Sequence, residues 1–319
     1  MSVNADKPHR WKDDIAQSVD FYNLWFLRFA PKAYRETRQK TAAQVELALK
    51  WTQDLKKISP ALLREHPEVL QMLRMATAPP LARDRLIGLA GVSHNLVQSM
   101  EGKGKLPPHM DPKLVQRELT AIGAMLRRLA DPDIFPWLRS KETPSETQVY
   151  RAATIVADRL CGAIADPIIR NAQEHRQLEA IKNWLQSRGY SVIPRGKHVK
   201  FSEMKPGTFI FHLNVPVTLN DRRQVNIPVD AAIMPARPTG NSAPLLLEAK
   251  SAGDFTNVNK RRKEEATKIA QLHRTYGNNI RYLLFLCGYF DCGYLGYEAA
   301  EGIDWVWEHR INDLKEFGL

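Results

Sequence analysis

Asp230 stands in an otherwise apolar run, Ile227-Pro228-Val229-Asp230-Ala231-Ala232-Ile233, and Glu248 and Lys250 end another, Leu245-Leu246-Leu247-Glu248-Ala249-Lys250. A carboxylate buried without a partner is costly or is driven to neutrality, and a bound cation removes that cost. Strand side chains alternate, so Glu248 and Lys250 share a face about 7 Å apart by the usual rise, while Ala249 points away. Two acids and an ammonium group at one place suit phosphodiester hydrolysis. That reaction needs a nucleophilic water, in-line attack and neutralisation of charge on the phosphate and the leaving oxygen. The cation to expect is Mg2+, which takes hard oxygen ligands, here Asp230, Glu248 and the Ala249 carbonyl, and acidifies a bound water. Lys250 then holds the attacking water or stabilises charge on the phosphate. One metal or two is left open.

The spacing alone is weak. It recurs at Asp54-Leu55-Lys56, Asp111-Pro112-Lys113, Glu203-Met204-Lys205 and Asp313-Leu314-Lys315. Only Glu248-Ala249-Lys250 ends an apolar strand-like run with an acid in a neighbouring strand and a basic helix just downstream. A strand-end salt bridge between Glu248 and Lys250 is the plain alternative. The downstream stretch, SAGDFTNVNKRRKEE, places Asn257 and Asn259 beside Lys260, Arg261, Arg262 and Lys263. Lysine and arginine suit phosphate contacts, and asparagine and arginine suit base edges. A solvated helix face is the competing reading.

The elements that must position these residues are legible from periodicity. From Trp11 to about Asn171 apolar residues recur at three and four, with prolines such as Pro31, Pro60, Pro79, Pro107 and Pro136 as punctuation, so this region is predicted to be all-helical. Phe21, Tyr22, Trp25, Phe26 and Phe29 have helical spacing and read as packing more readily than as a base-stacking surface. Asp166-Pro167 reads as a helix start and Gly189 as its stop, giving a helix over 167–188. Beyond it, 190–193, 208–218, 224–234, 245–249 and 281–287 read as strands, with a helix over 258–276. The fold class is therefore an α/β core with an α+β mixed sheet behind an all-helical N-terminal region. The predicted division is 1–160, for DNA recognition or dimerisation, and 161–319 for catalysis.

Of the 319 residues 44% are hydrophobic and 25% charged, which excludes disorder. Lys plus Arg exceed Asp plus Glu by 46 to 35, a formal +11, which favours a polyanionic partner, nucleic acid first, although solubility alone also explains such a surplus. The 3 cysteines, Cys161, Cys287 and Cys292, form no C-x-x-C pair, which argues against a disulfide framework or a structural zinc site. With no secretory signal and no apolar stretch of spanning length, a soluble cytoplasmic protein with no membrane partner is expected. The histidines show no paired metal-ligand spacing, no Walker loop is present, and the glycine-tyrosine pieces near 288–296 match a GIY-YIG nuclease only superficially.

The run from Pro228 to Lys250, the segments KSAGDFTNVNKRRKEEATK and LFLCGYFDCGYLGYEAAEGIDWVWEHR, and the front segment SVDFYNLWFLRFAPKAYRETR together resemble the XamI-type family of type II restriction endonucleases. The resemblance covers most of the chain. It implies a restriction-endonuclease-like PD-(D/E)xK core, Mg2+ and cleavage of double-stranded DNA at a short palindrome, with GTCGAC suggested by the family's namesake. By position Asp230 is the motif aspartate, Glu248 the second acid and Lys250 the lysine; the proline sits one place early, at Pro228. The fold often carries a further acid on its first core helix. Glu174 lies on the stripe of Leu178, Ile181 and Leu185, whereas Glu179 better matches the usual distance before the terminating glycine. Gln271 and Tyr276 either orient a phosphate or cap and pack. A palindromic site favours a homodimer. A cognate DNA methyltransferase would share the site without needing to bind.

Leu86 to Glu101, with its Gly91-Val92-Ser93 turn, has the outline of a helix-turn-helix presenting His94, Asn95 and Gln98, although Ile87 occupies a position that usually needs a small residue. A non-catalytic DNA-binding regulator and a structure-specific repair or recombination nuclease are therefore the rival expectations.

Overall fold

The computed structural model describes residues 2–140, 142–194, 200–219, 223–238, 243–256, 262–277 and 279–319, with the side chains of 262 and 263 left aside. Ten α-helices and six strands are assigned among them. The helices are α1 (Trp11–Trp51), α2 (Pro60–Glu65), α3 (Leu70–Met75), α4 (Arg83–Ala90), α5 (His94–Lys103), α6 (Pro112–Leu129), α7 (Trp137–Ser140), α8 (Glu146–Gln186), α9 (Arg262–Tyr276) and α10 (Cys292–Ala300). The strands are β1 (Ser191–Val192), β2 (Thr208–Thr218), β3 (Gln224–Met234), β4 (Leu245–Ala252), β5 (Arg281–Gly288) and β6 (Asp304–Trp307).

The chain forms two compact units, 30–169 and 1–29 with 170–319. The sequence division at 160 leaves the first 29 residues with the helical region, whereas here they join the sheet. The reason is visible in Trp11, whose ring packs on Trp305 and whose indole donates to the Asn4 carbonyl, while Asn4 in turn donates to the Trp305 carbonyl. Arg310 Nη1 donates to both carboxylate oxygens of Asp14, at 2.8 and 2.9 Å. Two predicted helix boundaries also move. Pro31 and Pro167 both lie inside long helices, α1 and α8. A proline there removes one backbone hydrogen bond, and apolar residues buried before and after it hold the helix. The α8 helix stops at Gln186, and Gly189 follows with φ +83°, the left-handed turn expected of a terminating glycine.

The unit 30–169 is helical, as its periodicity predicts, apart from an isolated bridge between Thr77 and Ala130. Leu63, Leu70, Leu86, Leu96, Val97, Met100, Leu119 and Ile122 form the centre of its core. Helices α4 and α5 flank a turn in which Gly91 takes φ +63°, and the Ser93 amide and hydroxyl both donate to the buried Glu118 carboxylate, at 3.0 and 2.7 Å. His94, Asn95 and Gln98 are exposed, and Ile87 packs against the core.

In the other unit the strands run β1-β2-β3-β4-β5-β6 in one mixed sheet, with β2, β3 and β4 antiparallel and the remaining neighbours parallel. Leu245, Leu246 and Leu247 are all fully buried, because β4 is covered on both faces, as its unbroken apolar run implies. One face carries Leu178, Ile181 and Leu185 of α8 against Leu245, Leu247, Leu283 and Phe285. The other carries Ile269 and Leu272 of α9 and Leu295 of α10 against Leu246, Leu284 and Leu286. The β4-α9-β5 and β5-α10-β6 crossovers build this second layer. Strand β6 and helix α10 are additions to the predicted elements: four residues, Asp304–Trp307, with Trp305 and Trp307 fully buried, complete the sheet.

Candidate metal centre

Strands β3 and β4 pair only from Ala231 with Leu247 to Ile233 with Leu245, and then part. Past that point β4 keeps its partner β5, from Glu248 opposite Leu284 to Ala252 opposite Gly288. The Ala249 amide, which has lost β3 as an acceptor, donates instead to Asp230 Oδ2 at 2.8 Å. A strand residue's amide and carbonyl leave the backbone on the same side, so the Ala249 carbonyl faces the same gap. Asp230 thus sits at the opening between the two strands because a side chain replaces a missing rung of the ladder.

Glu248 and Lys250 lie on the face covered by α9. Glu248 Oε1 accepts from Lys250 Nζ at 3.1 Å and from Lys268 Nζ at 2.7 Å, while Glu248 Oε2 is buried with no hydrogen-bond partner. Lys250 also pairs with Glu265 at 2.8 Å, and Glu265, fully buried, accepts from the Tyr282 hydroxyl. The plain alternative weighed from sequence, a salt bridge between Glu248 and Lys250, is therefore present, as one edge of a wider network. Burial pushes the Lys250 ammonium down, but Glu248 and Glu265 outweigh it and hold it above its ordinary value. Burial likewise pushes Glu265 up, and Lys250 more than offsets it, so Glu265 lies below its usual range.

Asp230 behaves in the opposite sense. Burial, then the neighbouring Glu248 charge and, more weakly, Glu174, push its carboxyl up to about 6, against the lowering pull of the Ala249 amide and of Lys250. Glu174 on α8, His212 on β2 and Asp230 bring one ligand atom each to within 4.8 Å of one another. Of the two acids weighed on this helix, Glu174 is the one beside Asp230, whereas Glu179 pairs with Lys182 at 3.1 Å. Both line an open cleft of about 700 Å³ that His212 also borders.

Sequence reasoning passed over Gln177, Glu265, Lys268 and His212. Gln177, 1% exposed, donates to the Phe285 and Lys250 carbonyls at 3.2 and 3.4 Å and so fixes α8 against the end of β4. Its signal is a polar residue one turn before Ile181, beside the apolar stripe of Leu178, Ile181 and Leu185. Tyr276 is a packing residue, donating to the Pro216 carbonyl and packing its ring on Phe201, and the Gln271 carbonyl accepts from Thr275. Of the aromatic cluster in α1, Tyr22 is buried and accepts from Gln173, while Phe21 and Phe26 stay 38% and 37% exposed. Asn257, Asn259, Lys260 and Arg261 lie outside the described residues; Arg262 and Lys263 open α9 and their side chains are likewise outside that description. No helix among the described residues is long and apolar enough to cross a membrane.

A divalent cation fits Glu174, His212 and Asp230, whose ligand atoms lie within 4.8 Å of one another; Glu248 is not in that group, and keeps a buried unpartnered oxygen on the face covered by α9. A mixed sheet with helices on both faces, carrying acids and a lysine where two strands part, is an α/β core consistent with a nuclease. The sequence profile of the XamI restriction endonuclease family matches residues 53–307. The chain is also 56% identical over 316 residues to the type II restriction enzyme SalI of Streptomyces albus G, covering 99% of each. Among solved structures, protein VC1899 from Vibrio cholerae aligns with a TM-score of 0.28 at 15% identity, over 80% of this chain and 55% of that one, a likeness too slight to bear on fold or function. The chain belongs to the XamI restriction endonuclease family and is a type II site-specific deoxyribonuclease.

Proposed function

We propose that this enzyme hydrolyses both strands of duplex DNA at GTCGAC in a Mg2+-dependent reaction on a PD-(D/E)xK site formed by Asp230, Glu248 and Lys250. The observation that carries this reading is the Asp230 carboxylate on the Ala249 amide, which ties the aspartate to the Glu248-Ala249-Lys250 segment at the parting of two strands. Asp230, Glu248 and the Ala249 carbonyl are the residues to hold the ion, with Glu174 as the further acid. When bound, Mg2+ supplies a water of lowered pKa and a positive charge beside the phosphate.

The chain's own residues do the rest. Lys250, held cationic by Glu248 and Glu265, is a donor and not a proton acceptor. It orients the attacking water and stabilises charge growing on the phosphate oxygens. Glu265 and Tyr282 fix the lysine, and Gln177 fixes the backbone that carries it. Lys268 balances Glu248, which would otherwise face Asp230 and Glu265 without a second cation.

DNA grip falls to Asn257, Asn259 and the Lys260–Lys263 run, with the exposed His94, Asn95 and Gln98 of α5 as base-reading candidates in the helical unit. A homodimer matches the two-fold symmetry of the site. A plasmid carrying a single GTCGAC and a control lacking it, incubated with protein and Mg2+, test the reading directly. One linear product from the first and none from the second is expected. Cutting elsewhere rejects the recognition sequence, and full cutting by Asp230→Asn or Lys250→Ala rejects the assigned site.

A further inference from the structure

His212 has φ +55° in the middle of an eleven-residue strand, in the left-handed region that non-glycine residues seldom occupy, although histidine tolerates it better than most. The strand turns over at this residue. Before it, Phe209 and Phe211 pack with the α8 face and Ile210 with the α9 face; after it, Leu213, Val215 and Val217 pack with the α9 face. Strand β3 turns over at the matching place, because Ala231 and Ile233 pack with the α8 face whereas Ile227 and Val229 pack with the α9 face.

Pairing nevertheless holds its register on both sides, Phe211 with Ala231 and Leu213 with Val229, so no residue is inserted and His212 stands opposite Asp230. That rung alone is absent from an otherwise continuous ladder. The concerted turn releases both side chains from the alternation that would bury one face and expose the other. It brings an imidazole nitrogen, the Asp230 carboxylate and the Glu174 carboxylate to within 4.8 Å of one another. Glu248, whose charge acts on Asp230, is 8% exposed and its Oε2 oxygen is buried without a hydrogen-bond partner.

We propose that His212 is a direct protein ligand of the divalent ion held at Asp230 and Glu174, and that it biases the site toward ions that accept imidazole, such as Mn2+, over Mg2+. An all-oxygen set suits Mg2+; an imidazole suits the later first-row ions best, and Mn2+, which opens that series, accepts one nitrogen among oxygens more readily than Mg2+ does. The proposal rests on the reading of Asp230 as a metal ligand and extends it to a residue on a different strand, with a consequence for metal choice.

Mn2+ added to the full chain without Mg2+ provides the probe. Free ion is counted by its electron paramagnetic resonance signal, and Mg2+ affinity is read by competition. His212→Asn keeps a residue that tolerates positive φ and removes the imidazole. It is expected to weaken Mn2+ binding at least tenfold while Mg2+ binding changes less than threefold. Electron spin echo spectra of Mn2+ bound to the unaltered protein should show a directly coupled imidazole nitrogen that His212→Asn removes. Absence of that nitrogen signal in the unaltered protein overturns the proposal whether or not the variant folds, as does unchanged Mn2+ affinity in a folded variant. Asp230→Asn separates the two layers of the argument. If it abolishes Mn2+ binding while His212→Asn does not, only the histidine assignment fails; if neither variant affects binding, the reading of the metal centre fails with it.

Discussion

Replacing Asp230 with asparagine should make the metal-free protein more stable while removing its activity. Burial and the charges of Glu248 and Glu174 raise this carboxyl from 3.8 to about 6 in the folded protein. A carboxyl whose folded pKa lies above its unfolded value favours the folded state when protonated; that contribution is complete below the unfolded pKa and is lost as pH rises through about 6. Above that pH the charge costs roughly 3 kcal/mol as an upper limit, which a neutral isostere removes. Asparagine still offers an oxygen to the Ala249 amide, so the bond at 2.8 Å survives the change. Thermal melts in EDTA at pH 8 should place Asp230→Asn roughly 5–10 °C above the parent if the catalytic unit limits stability. At pH 5 the free-energy gap should shrink to about half, since much of the parent carboxyl is then protonated. Mg2+ should raise the parent's midpoint and leave the variant's unchanged, because ligand binding stabilises only a protein that retains the site. A variant that melts at or below the parent at pH 8, or a gap that does not narrow at pH 5, would refute the electrostatic account of this site.

Glu174→Gln should lower Mg2+-dependent cleavage at least tenfold, whereas Glu179→Gln, whose carboxylate is already paired with Lys182 on the helix surface, should stay within about threefold of the parent, both read from initial rates on a single-site plasmid. Glu265→Gln removes a buried acid from Lys250, so the alkaline limb of the cleavage profile should move to lower pH, and urea unfolding should show a loss of about 3 kcal/mol for the broken pair. Replacing Lys260, Arg261, Arg262 and Lys263 with alanine should weaken DNA binding and reduce the salt slope by up to about 3.6, at roughly 0.9 per phosphate contact, as measured by fluorescence anisotropy between low and moderate salt. An unchanged slope would place the phosphate contacts elsewhere.

The sheet was legible where its strands obey a single rule. Leu245-Leu246-Leu247 and Tyr282–Cys287 are buried on both faces and read as uninterrupted apolar runs. Helix α10 and strand β6 escaped because their residues, DCGYLGYEAA and DWVW, mix glycine, acids and bulky aromatics with no clear period, and their identity as sheet and cover is decided by the tryptophans they bury. Pro31 and Pro167 were read as boundaries because local chemistry disfavours proline inside a helix, yet long-range packing overrides one lost hydrogen bond. At the site, the acids and lysine were visible because each interrupts an apolar strand. Glu265 and Lys268 were not, because acids and lysines at that spacing on a helix usually face water, and nothing local indicates that α9 turns them inward. His212 was not either, because apolar residues at 209, 211, 213, 215 and 217 keep one alternation with only Ile210 off it, and nothing local signals that the strand turns over between 211 and 213.

Charge bookkeeping across the centre explains why its two halves differ. On the α9 side Glu248 and Glu265 are balanced by Lys250 and Lys268 through contacts of 2.7 to 3.1 Å, so that half is neutral as it stands. On the α8 side Asp230, Glu174 and His212 bring one ligand atom each to within 4.8 Å of one another, and Asp230 is answered by the Ala249 amide and, more weakly, by the charge of Lys250. Burial first, and then the repulsion of the neighbouring Glu248 and Glu174 carboxylates, raises the pKa of Asp230. On the proposed metal reading a dication has most to gain at Asp230 and Glu174, while on the balanced half Glu248 Oε2 is buried without a hydrogen-bond partner. The lysines keep Glu248 and Glu265 tolerable in a buried setting, and on the proposed reading the deficit left at Asp230 is what would draw a cation toward the gap between β3 and β4, where Lys250 lies on the neighbouring strand.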